Sequence, residues 1–209
     1  MRSMIRIGIL SQSELPKQLE PMIEAIFREQ FRKLSSIFGP ENLALVGSVE
    51  GKFGELACIS AVEAGLNLEL FPFEASAELN EEETGVKARI HAVLERQSGT
   101  TKLDEQVPET ELIGFCDVMI SAFDDSNPVQ NSRFKSMRDL FFGGDMTDAK
   151  LEKLLIQVNC PRQWSPDADG EVHFEYITRV PGQRGISSEI EIPGKLIRQW
   201  TNAISAMPH

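Results

Sequence analysis

Short apolar segments rich in β-branched residues alternate with longer helical patterns, and this alternation constrains the fold more than any other feature of the chain. The first such segment is residues 5–11, and residues 43–46 form the second. Continuous apolar runs of this length are typical of strands that are buried on both sides of a sheet. Strand–helix alternation favours parallel strands joined by right-handed crossovers. We therefore predict an α/β, Rossmann-like fold: a mostly parallel sheet of five or more strands with helices on both faces.

Other elements are predicted from the same patterns. Leucines that alternate with polar residues over residues 66–70 indicate a strand near a sheet edge. Apolar residues spaced three and four apart indicate helices. The remaining predicted strands are residues 118–123 and 173–180, and the predicted helices are residues 16–38, 54–64, 81–96, 109–115, 128–158 and 196–204. In the 128–158 segment we expect a break at Gly143-Gly144, with Leu151, Leu154, Leu155 and Val158 on the buried face of its second half.

Length and loop composition bear on the domain organisation. The chain has 209 residues, roughly one and a half average domains. We predict a single Rossmann-like domain over residues 1–209, with a C-terminal elaboration at about residues 181–209. Residues 97–108 are polar and are predicted to form a loop. Residues 186–192 alternate glutamate with isoleucine, which is compatible with an extra edge strand or with a dimer contact.

Charge and cysteine content exclude several classes of function. The chain carries 32 acidic and 21 basic residues, for a net charge of −11. A nucleic-acid-binding surface must be basic to displace counterions, so we expect no nucleic-acid partner. No apolar run approaches the ~20 residues of a membrane helix, so we expect no membrane partner. The three cysteines match neither a disulfide framework nor a zinc-ligand pattern, which indicates a cytoplasmic protein without a metal site.

Residues 47–54 are the most informative loop. They place three glycines and a serine between a predicted strand and a predicted helix. Glycine allows backbone amides to turn towards an anion, and a helix N-terminus adds partial positive charge. The segment is neither a P-loop nor a G-x-G-x-x-G motif. It is either a seat for a phosphate or carboxylate or a glycine-rich turn without a ligand.

An aspartate and a set of three basic residues follow the predicted strand at residues 118–123. Asp124 is placed to accept a hydrogen bond from a ribose hydroxyl, as acidic residues near strand ends do in dinucleotide sites. The alternative is a solvated loop. Arg133, Lys135 and Arg138 either approach a phosphate or occupy a solvent-facing helix.

Several of these segments together are similar to the SLOG superfamily. The similar residues are Ile7-Gly8-Ile9-Leu10-Ser11 with Leu15, Val46-Gly47-Ser48 with Glu50-Gly51, Ala57, Ala61, Gly65, Phe71-Pro72-Phe73, the run from Cys116 to Ser121 with Asp124, and Ile177-Thr178-Arg179. This superfamily unites the Lonely Guy phosphoribohydrolases, the DNA-processing protein DprA and nucleotide-sensing domains of bacterial defence systems. The resemblance covers roughly residues 5–180.

The chain also departs from the family pattern. Ser11-Gln12-Ser13 stands where sensor members often have Gly-His-Arg, and Phe53-Gly54 stands where an aspartate is common. The Pro-Gly-Gly-x-Gly-Thr-x-x-Glu motif, whose glutamate serves glycosidic-bond hydrolysis in Lonely Guy enzymes, has no counterpart. The resemblance therefore carries over a binding loop but no catalytic residue.

The resemblance implies a domain that binds a nucleotide-derived small molecule and acts as a sensor in a bacterial defence or signalling system. It also implies an effector domain or protein as partner, a homo-oligomer, and no cofactor. A sensor needs an element that the ligand biases, for which we expect the 97–108 loop or an oligomer interface. The expected ligand-binding residues are Gly8, Ser11, Gln12, Gly47, Ser48, Glu50, Gly51, Lys52, Ser121 and Asp124.

Two other functions stay open. One is an N-glycosidase or nucleoside deoxyribosyltransferase-like enzyme on the same fold, with Glu50, Glu55 or Asp124 as the acid near the anomeric carbon. The other is an interaction domain with a vestigial pocket, which would bind no nucleotide.

Overall fold

The computed structural model of the protein describes residues 4–11, 17–47, 51–70, 101–102, 113–123, 128–142, 153–159, 174–178, 184–186, 192 and 194–206. In this part of the chain, eight strands form one sheet and four α-helices accompany it. The strands are β1 Ile5–Ser11, β2 Leu43–Gly47, β3 Asn67–Leu70, β4 Thr101–Lys102, β5 Val118–Phe123, β6 Leu154–Asn159, β7 Phe174–Thr178 and β8 Arg184–Ile186. The helices are α1 Glu20–Phe38, α2 Gly51–Glu63, α3 Pro128–Phe142 and α4 Gly194–Ser205, with 3₁₀ turns at Lys17–Leu19 and Pro40–Asn42.

The sheet is mostly parallel, as predicted. Its strand order is β4-β3-β2-β1-β5-β6-β7-β8. The six strands from β4 to β6 are parallel to their neighbours, and β7 and β8 are added antiparallel at one side. The chain moves outwards from β1 to β4 on one side and then returns to place β5 on the other side of β1. The strand order therefore reverses between β1 and β5.

Helices cover both faces of the sheet, which confirms the Rossmann-like fold. On one face, α1, α2 and α4 pack on alternate residues of the central strands, such as Ile7, Leu45 and Ile120. On the other face, α3 packs on the intervening residues, such as Leu10 and Met119. This alternation is the period of two that a strand imposes on its side chains. Both sets of residues are buried, which explains why the strands are apolar along their whole length.

Glycines end the first two helices where the pattern predicts. Gly39 follows α1 with φ 80°, and Gly65 follows α2 with φ 76°. This left-handed conformation is accessible to glycine without a steric penalty. Because α1 and α2 return the chain to the start of β2 and β3, the N-terminus of α2 lies at the carboxyl edge of the sheet.

The prediction for residues 151–158 is wrong. Leu154, Leu155 and Val158 lie in strand β6 and not on a helix face. Leu154 and Val158 are buried on the α1 and α2 side of the sheet, and Leu155 is buried under α3. Gln157 interrupts the apolar run of this strand, and the spacing of Leu151, Leu154, Leu155 and Val158 coincides with that of a helix face.

Other boundaries also differ from prediction. Helix α2 begins at Gly51, three residues before the predicted start, and Thr101–Lys102 form strand β4 within the predicted 97–108 loop. The predicted helix over residues 81–96 lies outside the described residues. Among the described helices, none has both the length and the hydropathy to cross a membrane.

Candidate functional site

The carboxyl ends of β1, β2 and β5 converge at one edge of the sheet. These strands end at Ser11, Gly47 and Phe123, and parallel pairing brings the three ends together. Ser11 is in register with Ala122, and Leu10 is in register with Ser121. Ligands of open α/β sheets bind at this edge, in the crevice where the strand order reverses. The described backbone therefore places the ends of these three strands where the fold can hold a ligand.

Two glycines frame the connection from β2 to α2. Gly47 has φ 149° and Gly51 has φ 71°. Residues with a side chain rarely adopt these values, so the glycines of the loop are required by its backbone conformation. The first turn of α2 leaves amide groups without partners inside the helix, and its dipole favours negative charge there. Gly47, Gly51 and the helix N-terminus thus lie where the predicted anion seat requires them, and the seat itself stays a prediction.

Lys52 has a different environment from the one that the sequence led us to expect. Its Nζ lies 3.0 and 3.1 Å from the two carboxylate oxygens of Glu55 and 3.8 Å from a carboxylate oxygen of Glu20. Glu55 is buried in α2, whereas Lys52 is about one third exposed. The ammonium group therefore compensates a buried carboxylate of its own helix and links the helix to α1. Two of its three N–H groups are engaged by Glu55, so its charge is compensated within the helix before any phosphate is bound.

Glu55 is consequently a poor candidate for the acid of an N-glycosidase. A general acid must hold a proton and direct it at the leaving group. Both carboxylate oxygens of Glu55 instead accept hydrogen bonds from Lys52. The arrangement is that of a structural ion pair.

Ser121 and Gly8 belong to the α3 side of the sheet. The Ser121 hydroxyl is fully buried and donates to the Ile156 carbonyl oxygen at 3.4 Å. It lines a cleft of about 220 Å³, including space open to solvent, between the sheet and α3. A methyl group on Gly8 would lie 2.5 Å from the Cys116 sulfur. Close packing thus accounts for a glycine at position 8 without a ligand.

The predicted ligand-binding residues are only partly described. Lys52 extends from a helix on one face of the sheet, and Ser121 lies under the helix on the other face. Gln12, Ser48, Glu50 and Asp124 lie outside the described residues, and Ser11 is described only as the end of β1. The set stays a prediction.

The three basic residues that the sequence predicted either to approach a phosphate or to face solvent all lie on α3. Arg133 and Lys135 are exposed, and Arg138 contacts the carboxylate of Asp139 at 3.1 Å. The part of the chain that the structure describes contains no group of three or more histidine, cysteine or acidic residues that could hold a metal ion.

A polar cluster at the opposite edge of the sheet was missed by the sequence analysis. The backbone amide of Arg6 donates to the Asp117 carboxylate at 2.9 Å, and the Arg6 guanidinium donates to Glu69, also at 2.9 Å. Burial raises the pKa of Asp117, and the hydrogen bond from Arg6 partly opposes this shift. The one sequence pattern that could have indicated this cluster is the alternation of polar residues with leucine in β3. The cluster joins β1 to β5 and to β3, at the end of the sheet away from the crevice.

Neither described cysteine is suited to chemistry. Burial raises the pKa of Cys58 and of Cys116 to about 12. A thiol reacts as its thiolate, so both side chains are inert at neutral pH.

Comparisons with known proteins give one structural similarity. No protein-family model matches the chain, and no curated protein matches it. Among solved structures, the chain is similar to DNA processing protein A (DprA) from Streptococcus pneumoniae, with 12% sequence identity and a TM-score of 0.41. The similarity covers 69% of this chain and 52% of that one, so the chain spans about half the length of DprA. The Rossmann-like fold is assigned from the strand order and from the helices on both faces.

Proposed function

We propose that this chain is a SLOG-like domain that binds a nucleotide-derived small molecule at the carboxyl edge of β1, β2 and β5. The observation that carries the proposal is the meeting of three features at that edge. The strand order reverses between β1 and β5, two glycines with positive φ frame the loop after β2, and the N-terminus of α2 follows them. Each feature favours an anionic or nucleotide ligand in open α/β sheets.

The positive field in this proposal comes from backbone groups more than from side chains. Lys52 is held by Glu55 and Glu20, and these three side chains together carry one negative charge. The amides of the first turn of α2, which have no partner within the helix, and the dipole of α2 remain as the source of attraction for an anion. A ligand that presents a single phosphate to the α2 N-terminus, and hydroxyl groups to the acidic side chains nearby, suits this charge balance best.

The proposed activity is binding without turnover. The catalytic motif of the Lonely Guy enzymes is missing from the sequence, and Glu55 is held in an ion pair. We propose that the domain acts as a sensor in a bacterial defence or signalling system in the cytoplasm, as a homo-oligomer that reports to an effector domain or protein.

A nucleotide panel tests the proposal. We expect at least one of a set of mono-, di- and cyclic nucleotides, NAD and ADP-ribose to raise the melting temperature, because a ligand that binds the folded state stabilises it. At 100 times Kd the free energy of unfolding rises by about 2.7 kcal/mol, which corresponds to about 5–10 °C for a chain of this size. Chromatography of the same mixtures detects any product.

A pair of matched variants locates the binding. Ser48→Glu adds a negative charge to the loop before α2 and should abolish the shift, whereas Ser36→Glu adds the same charge at an exposed position of α1 and should leave it intact. Absence of a shift with every compound would overturn the proposal in favour of an interaction domain. A shift accompanied by product would assign the enzyme instead of the sensor.

A further inference from the structure

We draw no further inference here: the strongest candidate, the cleft between α3 and strands β1, β5 and β6 that holds the buried Ser121 hydroxyl, is lined mainly by apolar side chains, and nothing in the described residues shows what would fill it.

Discussion

At the scale of single residues, the packing around Gly8 explains a glycine that the sequence associated with a ligand. A Cβ atom at position 8 would lie 2.5 Å from the Cys116 sulfur and 3.1 Å from the terminal carbon of Met119. Both neighbours are buried, so neither can move away without displacing the layer under α3. We expect Gly8→Ala to lower the free energy of unfolding by about 1–3 kcal/mol, the usual effect of overpacking. Urea denaturation measures this change.

Two further variants distinguish overpacking from other effects of the substitution. Gly114→Ala is the matched control, because a Cβ there would meet nothing within 4 Å, and it should not lower stability, since alanine is favoured over glycine in the helical residues 113–115. In a Cys116→Ala background, Gly8→Ala should cost less than in the natural chain, since the nearest atom has been removed. Equal effects of Gly8→Ala and Gly114→Ala would contradict this explanation.

Asp117 gives a pH-dependent prediction. Because burial raises its pKa above the ordinary carboxyl value, the folded state holds the proton more tightly than the unfolded chain does. The contribution of Asp117 to the free energy of unfolding is therefore greatest at low pH, and it falls as the pH rises through the interval between the unfolded and folded pKa values. Asp117→Asn removes this titration and keeps an oxygen that can accept the hydrogen bond from the Arg6 backbone amide.

Urea denaturation of both proteins between pH 3.5 and pH 7 checks the sign. We expect the stability of Asp117→Asn relative to the natural chain to increase with pH over this range. A difference that stays constant would contradict the raised pKa and show that the Arg6 hydrogen bond and the charges of Arg6 and Lys153 balance the burial of Asp117. A change in the opposite direction would show that they outweigh it.

At the scale of whole elements, a helix or strand could be predicted from the sequence only where its apolar residues follow a clear pattern. Helix α1 could be predicted because one face is buried and the other exposed, which gives a clear repeat. Strand β6 could not, because Gln157 interrupts its apolar run and the leucines from Leu151 onward are spaced three and four apart, as in a helix. Strand β4 has two residues, Thr101 and Lys102, and carries no apolar pattern at all.

Like the helices and strands, the candidate site could be predicted only in part from the sequence. The glycines that frame the β2–α2 loop could be found from their positions after a predicted strand. The partners of Lys52 could not all be found in the same way. Glu55 is close in sequence, but Glu20 belongs to α1 and comes into contact only through the packing of α1 on α2. Contacts between elements are outside the reach of a single sequence read by local pattern.

The ion pair between Lys52 and Glu55 should stabilise the start of α2. Lys52→Met would leave a buried carboxylate without its cation, and we expect a loss of about 1–2 kcal/mol in the free energy of unfolding, within the range for an unsatisfied buried acceptor and reduced because Lys52 is partly exposed. Chemical denaturation measures the loss.

A double-mutant cycle with Glu55→Gln separates the pair from the side chains themselves. The Lys52→Met substitution should cost less in the Glu55→Gln background, because the glutamine leaves no charge to compensate. Lys135→Met, at an exposed position of α3, is the control and should stay within about 0.5 kcal/mol. If Lys52→Met costs no more than Lys135→Met, the ion pair contributes nothing to the helix.

At the scale of the whole molecule, the sheet connects the two buried layers. Each central strand contributes residues to both layers, so the layers cannot be separated without breaking the sheet. Trp200 packs on Phe38 in the layer of α1, α2 and α4, with ring centroids 5.6 Å apart. Phe134 packs on Phe123 in the layer of α3, with centroids 5.0 Å apart. We expect the described elements to unfold in one cooperative transition.

The Phe134→Ala variant tests this cooperativity in a Trp164→Phe background, where Trp200 is the remaining tryptophan. Removing the ring from the α3 layer should lower the free energy of unfolding by about 3–5 kcal/mol. Trp200 fluorescence and far-UV circular dichroism should report the same shifted midpoint, although Trp200 lies on the opposite face. Leu140→Ala, on the exposed side of α3, should leave both midpoints nearly unchanged. An unshifted fluorescence transition in Phe134→Ala would mean that the two layers unfold independently and that the sheet does not couple them.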